Sequence, residues 1–259
     1  PVLFIAALLR IPVFIQEQNS YPGITNKILA RFAKKIFVAY DNLHHFFSPQ
    51  KIVLTGNPVR RDITETLPDK ASALSFFGLD AHKKTILIIG GSLGARTINN
   101  AIEKHMEEFT RQGFQLLWQT GKIYYDGILE RTHGKDLSAV KIHQFIREMN
   151  MAYSAADIII SRAGALSISE LCIIGKPIML IPSPNVSEDH QTKNAMALVS
   201  KNAAVLVKDI EAEQTLGNEL TALANDEVKM QTLSANIRKL AKDKAAVEIA
   251  DGIAKELKL

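Results

Sequence analysis

Residues 85–100, TILIIGGSLGARTINN, constrain the fold more than any other stretch of this 259-residue chain. An apolar β-branched run ends in a tight glycine turn and passes directly into a helical pattern, which is the βα unit of a parallel sheet. Such a turn leaves backbone N–H groups and the positive end of a helix dipole facing outward, a natural seat for phosphate. Gly90, Gly91 and Gly94 form the candidate phosphate loop, with Ser92 at the helix mouth. The spacing is not the dinucleotide fingerprint, because Ser92 replaces the second spaced glycine. It is not a P-loop either, since no Lys followed by Ser or Thr closes the turn. A sharp turn alone would need the glycines but not the serine hydroxyl.

The same alternation runs through the rest of the chain. IPVFIQE, KKIFVAY and KIVLTG read as three strands, preceded by an apolar helix and enclosing the helix GITNKILARFAK. The polar segment TETLPDKAS, with Pro68, reads as a linker or a domain entry. A second series supplies six strands: TILIIG, FQLLWQT, AVKIHQ, DIIIS, PIMLIP and AAVLV. Helices are expected from Ala95 to about Phe109, near Tyr124–Arg131, over FIREMNMAYSAA and LSISELCII, and from about Asp189 to Ser200, with two terminal helices after the last strand. The fold class is α/β, with one complete nucleotide-binding unit preceded by part of another. The chain opens with Pro1 on a helix already feeding a strand, where a doubly wound domain would open on a strand. N-terminal sequence is therefore expected to precede it.

Bulk properties narrow the classes. Apolar residues are 47% and charged residues 22%, ordinary for a globular chain with sizeable cores. No apolar run reaches the ~18 residues of a membrane span. PVLFIAALL is cut short by Arg10 and Pro12 and lacks the basic leader of a signal peptide. The single cysteine, Cys172, excludes an intrachain disulfide and fits a small core residue in a reducing compartment. The net charge of +4 is mild. Its densest basic cluster, Lys27, Arg31, Lys34 and Lys35, is expected on one amphipathic helix, as a solvated face or as a contact for anionic lipid headgroups. Nucleic acid is disfavoured, as no binding motif accompanies these charges.

Ligands of open α/β sheets bind at the carboxyl ends of strands. Those ends carry Gly90 to Gly94, Gln119 to Lys122, Phe145 and Ile146, Ser161 to Gly164, and Pro182 to Gln191. Ser167 and Glu170 fit a capping box; the alternative use of Glu170 is as a carboxylate accepting from a ribose diol. Arg162 must be exposed, paired with an acid or near phosphate. Asp189 suits the N-cap of a helix carrying His190 and Gln191. In the first part, Asn19 and Arg60 close two strand ends on the edge that should face the second unit. An amide and a guanidinium across a cleft from a phosphate-binding helix suit a sugar nucleotide.

The segments EQNSYPGITNKILARFAKKIF, TGNPVR, GGSLGARTIN, QTGK, AADIIISRAGALSISEL and PSPNVSEDHQTKNA, in this order and spacing, resemble the MurG family of glycosyltransferases. The resemblance covers essentially the whole chain. It implies a GT-B fold of two Rossmann-like doubly wound domains, the first incomplete. Residues 1–62 would be the remainder of the acceptor and membrane-side domain and 63–243 the UDP-GlcNAc-binding domain. Residues 244–259 would form a helix returning to the first. The implied reaction is inverting transfer of GlcNAc from UDP-GlcNAc to the C4 hydroxyl of the muramoyl sugar of lipid I, giving lipid II.

By the same resemblance, Asn19 and Arg60 are cleft residues and Ser92 contacts the diphosphate. Ile146 reads uracil through its backbone. Ala165, Leu166, Ser167, Ile168, Ser169 and Glu170 form the donor loop with Glu170 on the ribose, and Gln191 contacts the GlcNAc hydroxyls. The catalytic base is expected on a glycine-rich loop with a histidine, a segment this sequence lacks; His44, His45 and His190 are the nearest candidates within it. No DxD motif is present, and the family implies no metal and no cofactor. The implied partners are UDP-GlcNAc, lipid I, an anionic membrane surface and proteins of cell-wall synthesis or division. The implied location is the cytoplasmic face of the bacterial inner membrane, as a peripheral protein.

The family pattern is broken at Gln16, where a histidine is common, and at Leu93, where glutamine is common. Three rival readings remain: an NAD-dependent oxidoreductase, which the glycine pattern and the lack of an acidic strand end about 20 residues on disfavour; a non-catalytic sugar-nucleotide-binding scaffold; and another GT-B enzyme such as an epimerase or glycolipid synthase. Titration with NADH and with UDP separates the first from the others.

Overall fold

A computed structural model describes residues 2–65 and 67–259. Pro1 and Thr66, which carry the expectation about the chain start and part of the expected linker, lie outside the described residues. The first unit begins with α1 (Val2–Leu8), β1 (Phe14–Glu17), α2 (Ile24–Leu29), β2 (Lys35–Val38) and β3 (Ile52–Leu54). Its three strands pair in parallel in the order β1-β2-β3. Two helices, α3 (Arg61–Thr64) and α4 (Lys70–Phe77), then lead into β4 (Lys84–Ile89). The second unit continues with α5 (Arg96–Arg111), β5 (Phe114–Gln119), α6 (Tyr125–Thr132), β6 (Val140–His143), α7 (Met149–Ala155), β7 (Ile158–Ser161), α8 (Ala165–Ile174), β8 (Ile178–Leu180), α9 (His190–Val199) and β9 (Val205–Leu206). Three helices close the chain: α10 (Ala212–Ala224), α11 (Glu227–Arg238) and α12 (Ala245–Leu257).

The six strands of the larger sheet are all parallel, in the order β6-β5-β4-β7-β8-β9. The first three strands in sequence build outward in one direction and the next three in the other. The topological switch point therefore falls between β4 and β7, where Ile89 pairs with Ser161. In doubly wound sheets the ligand crevice opens there. Both faces of the sheet are covered. Leu87, Leu117 and Ile159 pack on one side with Phe77, Ala152 and Leu171. Ile86, Ile88, Trp118 and Ile160 pack on the other with Ile102, Phe109 and Leu216. Continuous apolar runs such as ILII and DIII are what a sheet buried on both faces requires. The smaller sheet has its own core of Val13, Ile15, Leu29, Ile36, Val38 and Phe47.

Several expectations need correction. TETLPDKAS is not all linker: Asp69 caps α4, accepting from the Ser72 backbone N–H at 2.9 Å. The helix expected to start at Phe145 starts at Met149, because Phe145 to Glu148 form the exit from β6. Three helices, not two, follow β9. The first break among them falls at Asn225-Asp226, where the Asp226 carboxylate caps α11 at Lys229. The basic cluster does not share one helix, since α2 ends at Leu29 and Lys35 opens β2. Lys34 and Lys35 instead lie 3.9 and 3.7 Å from Glu256 on α12. That helix lies on the smaller sheet, with Gly252 against the Phe37 ring.

Candidate functional site

The loop after β4 is shaped by close backbone packing. Gly94 takes φ +87°, and a Cβ there would fall far inside contact distance of the Thr120 carbonyl. Gly121, φ +83°, meets Gly94 in the same way, so the loops after β4 and β5 interlock through two positions where no side chain fits. Gly90 and Gly91 complete the turn, and Ser92 sits exposed on it with its carbonyl accepting from Lys122 N–H at 3.3 Å. The helix starts at Arg96, four residues beyond Ser92, with Ala95 at the N-cap and no side chain capping it. Its first N–H groups and dipole are thus left for a ligand.

Gln119, at the end of β5 and buried, joins this loop to the next strand end. Its amide donates to the Gly91 carbonyl at 3.1 Å and its Oε1 accepts from Ile146 N–H at 2.9 Å. Ile146 is buried, and with its N–H held by Gln119 the backbone group it has to offer a base is its carbonyl. Phe145 beside it is exposed, and His143 at the end of β6 has its pKa lowered by burial, which keeps the imidazole neutral. Behind the loop, Asn99 of α5 is buried between the Trp118 indole N–H (3.0 Å) and the Thr120 carbonyl (2.8 Å).

Across the switch point, α8 begins at Ala165 with Gly164 as its N-cap. Ser167 is therefore inside the first turn, and the capping box with Glu170 is not formed. Leu166 is exposed and the Ile168 side chain is turned inward, so Ile168 can meet a ligand in the crevice only through its backbone. Ser169 accepts from Asn57 Nδ2 at 3.0 Å, across the two units. Glu170 is held on both oxygens: Arg60 Nε donates to Oε1 at 3.2 Å and the Tyr153 hydroxyl to Oε2 at 2.9 Å. Burial, reinforced by the neighbouring carboxylate, raises the Tyr153 pKa well above that of a free phenol, so it stays a donor.

Arg162 is paired with an acid, as one of its three readings allowed. It bonds Asp209 and the carbonyls of Ile181 (2.9 Å) and Pro182 (3.2 Å). Its charge is thus spent on loop structure.

The loop after β8 brings Gln191 to the same mouth. Its Oε1 accepts from the backbone N–H groups of Ala163 (3.2 Å) and Ser183 (2.9 Å), which leaves its NH2 as the group facing outward. Asp189 holds the N-cap position of α9 but caps nothing, because it and Glu188 are both in left-handed conformation, φ +54° and +53°. Non-glycine residues at positive φ are strained and gather at ligand sites. His190 Nε2 lies 3.4 Å from Glu188 Oε2, and its Nδ1 is buried without a partner among the described residues.

Asn19 meets the second unit through Asn194 of α9, whose Nδ2 donates to Asn19 Oδ1 at 3.0 Å while its Oδ1 accepts from Ser20 N–H at 2.9 Å. Buried Glu17 shapes the loop beneath, taking the N–H groups of Asn19 (3.0 Å) and Gly23 (3.2 Å) and Asn26 Nδ2 (2.8 Å). A cleft lies between this loop and Ser187, Glu188 and His190. His44 and His45 instead lie against each other, ring centroids 4.0 Å apart and planes tilted by 43°, on the exposed turn after β2. Of the residues expected from sequence, the structure joins Arg60 with Glu170 and brings Asn19 to α9, and Gln119 ties Ile146 to the glycine loop that carries Ser92. Asn194 and Tyr153 escaped the sequence reading. Asn194 lies one turn beyond Gln191, a spacing that could have flagged it, whereas Tyr153 sits in an apolar helix and gave no signal.

Residues 85–250 match the glycosyltransferase family 28 C-terminal domain, and residues 1–38 match the family 28 N-terminal domain. The chain is 52% identical over 255 residues to the UDP-N-acetylglucosamine--N-acetylmuramyl-(pentapeptide) pyrophosphoryl-undecaprenol N-acetylglucosamine transferase of Parabacteroides distasonis, spanning 98% of this chain and 69% of that protein. The corresponding transferase of Flavobacterium psychrophilum is 50% identical, spanning 98% and 68%. Among solved structures, Acinetobacter baumannii MurG superposes with a TM-score of 0.78 at 27% identity, over 98% of this chain and 69% of that one. A Neisseria meningitidis UDP-GlcNAc 2-epimerase bound to UDP-GlcNAc shares the fold, with a TM-score of 0.70 at 16% identity over 98% of this chain and 72% of that one. The dehydrogenase reading is thereby set aside, and the chain belongs to the MurG family of GT-B glycosyltransferases.

Proposed function

We propose that the protein transfers GlcNAc from UDP-GlcNAc to the C4 hydroxyl of the muramoyl sugar of lipid I, with inversion, to give lipid II and UDP. The observation that carries this reading is the meeting, at one switch point, of an uncapped helix start after Ser92 and the carboxylate of Glu170. The first suits a diphosphate and the second a ribose diol. On this reading the Ile146 carbonyl, whose N–H is already taken by Gln119, would meet the uracil N3–H, and the Gln191 NH2 the sugar hydroxyls.

Chemically, the step breaks the anomeric C–O bond of the donor and leaves charge on UDP. On this reading the uncapped α5 N-terminus offers its preorganised N–H groups to that charge as it develops. Arg60, released from Glu170 when the ribose arrives, is the mobile cation that can follow the diphosphate. The transfer needs no resident metal on this reading. The acceptor enters from the first unit, over the Glu17–Asn26 loop.

We further propose that the protein works peripherally at the cytoplasmic face of the inner membrane, alongside proteins of cell-wall synthesis and division. Val2, Ile5, Leu8, Leu9, Ile28 and Phe32 are exposed on and around α1 and α2, and Phe4 and Phe32 meet edge to face at 5.7 Å. Arg31, next to Phe32 in the chain, is exposed, while the Lys27 ammonium lies over the Tyr21 ring, 3.8 Å from its centroid. No helix among the described residues is long and apolar enough to cross a membrane. The test is transfer of labelled GlcNAc to lipid I in anionic vesicles. Label in the lipid fraction, undiminished by EDTA, is expected; UDP-GlcNAc binding without any transfer favours the scaffold reading instead.

A further inference from the structure

Behind the crevice, where the chain crosses between the two units, lies a cavity of about 190 Å³. Its walls come from both units and from both crossings. Tyr40 and Leu54 belong to the first unit, Ile168 and Cys172 to α8, and Gly56 and Lys242 to the two connecting segments. An apolar cavity of roughly 150 Å³ accepts a benzene ring, so this one admits a ring or short chain with a polar head.

Three features define the occupant. The Tyr40 hydroxyl is buried and has no hydrogen-bond partner among the described residues. A buried hydroxyl left unpaired costs about 1–3 kcal/mol, and a ligand acceptor would remove that cost. The rim is cationic: Lys201, Lys239 and Lys242 stand against a single carboxylate, Asp41, which Lys201 already engages at 2.7 Å. Lys239 and Lys242 have no ion-pair partner among the described residues. The walls between are apolar, including the Cys172 thiol, whose pKa burial pushes up to about 12 and which therefore stays neutral.

We propose that this hinge cavity is a regulatory site for a small amphiphilic carboxylate, with its apolar body against Ile168, Cys172 and Leu54 and its charge at Tyr40 and the lysine rim. The coupling element is α8. Ile168, Ser169 and Cys172 line the cavity, while Glu170 of the same helix turns to Arg60. Asn57 bonds Ser169 at the cavity wall, three residues before Arg60. An occupant packed between the crossings stabilises the arrangement in which Arg60 holds Glu170, and so opposes release of both groups to the donor. Differential affinity for two arrangements is all that such coupling requires.

The probe is 4-fluorophenylacetate, followed by fluorine NMR on the full chain, with 2-(4-fluorophenyl)ethanol as the uncharged control. Millimolar binding of the acid is expected. Tyr40→Phe and the surface pair K239Q/K242Q should each weaken it roughly threefold or more, with unfolding curves confirming that both variants fold. No binding, or binding indifferent to both variants and equal for the alcohol, overturns the site. The coupling rests on the donor reading and is measured separately: saturating probe should raise the UDP dissociation constant about fivefold, and UDP should raise that of the probe by the same factor. Unchanged UDP affinity with the probe bound overturns the regulation. Absence of UDP binding in probe-free protein defeats the donor reading instead, and leaves the cavity result standing.

Discussion

Replacing Glu170 by glutamine separates ligand recognition from structure, because the variant keeps an oxygen for the Tyr153 hydroxyl. In the free protein the carboxylate holds Arg60 at 3.2 Å and Tyr153 at 2.9 Å. If it accepts two ribose hydroxyls in the complex, charge-assisted bonds of about 2 kcal/mol each give roughly 4 kcal/mol gross. The amide retains one neutral bond, about 1 kcal/mol. The wild-type protein must also give up Arg60, whose side chain is 47% exposed, a loss of about 1 kcal/mol at most that the variant does not incur. The net loss is about 2 kcal/mol, a roughly 30-fold weaker UDP complex. Calorimetry with UDP reads the affinity, and urea unfolding reads stability, which should change by less than about 1 kcal/mol. A variant that binds UDP within about threefold of wild type would show that the carboxylate serves Arg60 and Tyr153 alone.

Gln119→Leu removes the link between the glycine loop and Ile146 and leaves a buried N–H unpaired; calorimetry should show UDP affinity falling about tenfold, with about 1–3 kcal/mol lost in urea unfolding. Gly94→Ala forces a side chain against Thr120 at positive φ, and should cost about 2 kcal/mol or more of stability together with UDP binding. Cys172 has a pKa raised from 9.0 to about 12, so the folded state holds its thiol proton longer than the unfolded state does. That stabilisation is complete below pH 9 and is lost between about pH 9 and 12. Tyr40 and Tyr153, also raised, contribute in the same sense. The melting temperature should therefore fall less steeply with pH in Cys172→Ala than in wild type, and parallel slopes would refute the assignment.

The larger sheet was legible because a parallel strand buried on two faces must be a short apolar run, and ILII, FQLLW and III leave little alternative. Helix ends were less so. Asp69 caps α4 just after Pro68, a helix start that resembles a polar linker until the Ser72 contact is seen. The break between α10 and α11 carries neither glycine nor proline, only the cap at Asp226. At the site, residue types at strand ends announced Asn19, Arg60, Ser92 and Gln191. Their partners are set by tertiary approach: Glu170 meets Arg60 across 110 positions, and Asn19 meets Asn194 across 175. The capping-box expectation failed for a local reason. The helix opens at Ala165, so Ser167 is too far in to cap it, and Glu170 is free to turn outward.

The contact at Gly56 and Lys242 has a mechanical consequence. The two crossings of the chain touch at this point, and Gly56, at φ +88°, has room for no side chain beneath the Lys242 stem. Two tethers that meet at one place form a pivot. Rotation about such a point changes the angle between the two units without stretching either connection. Asn57, next in the chain to Gly56, ties the same point to the first unit through the Gln18 carbonyl at 3.0 Å.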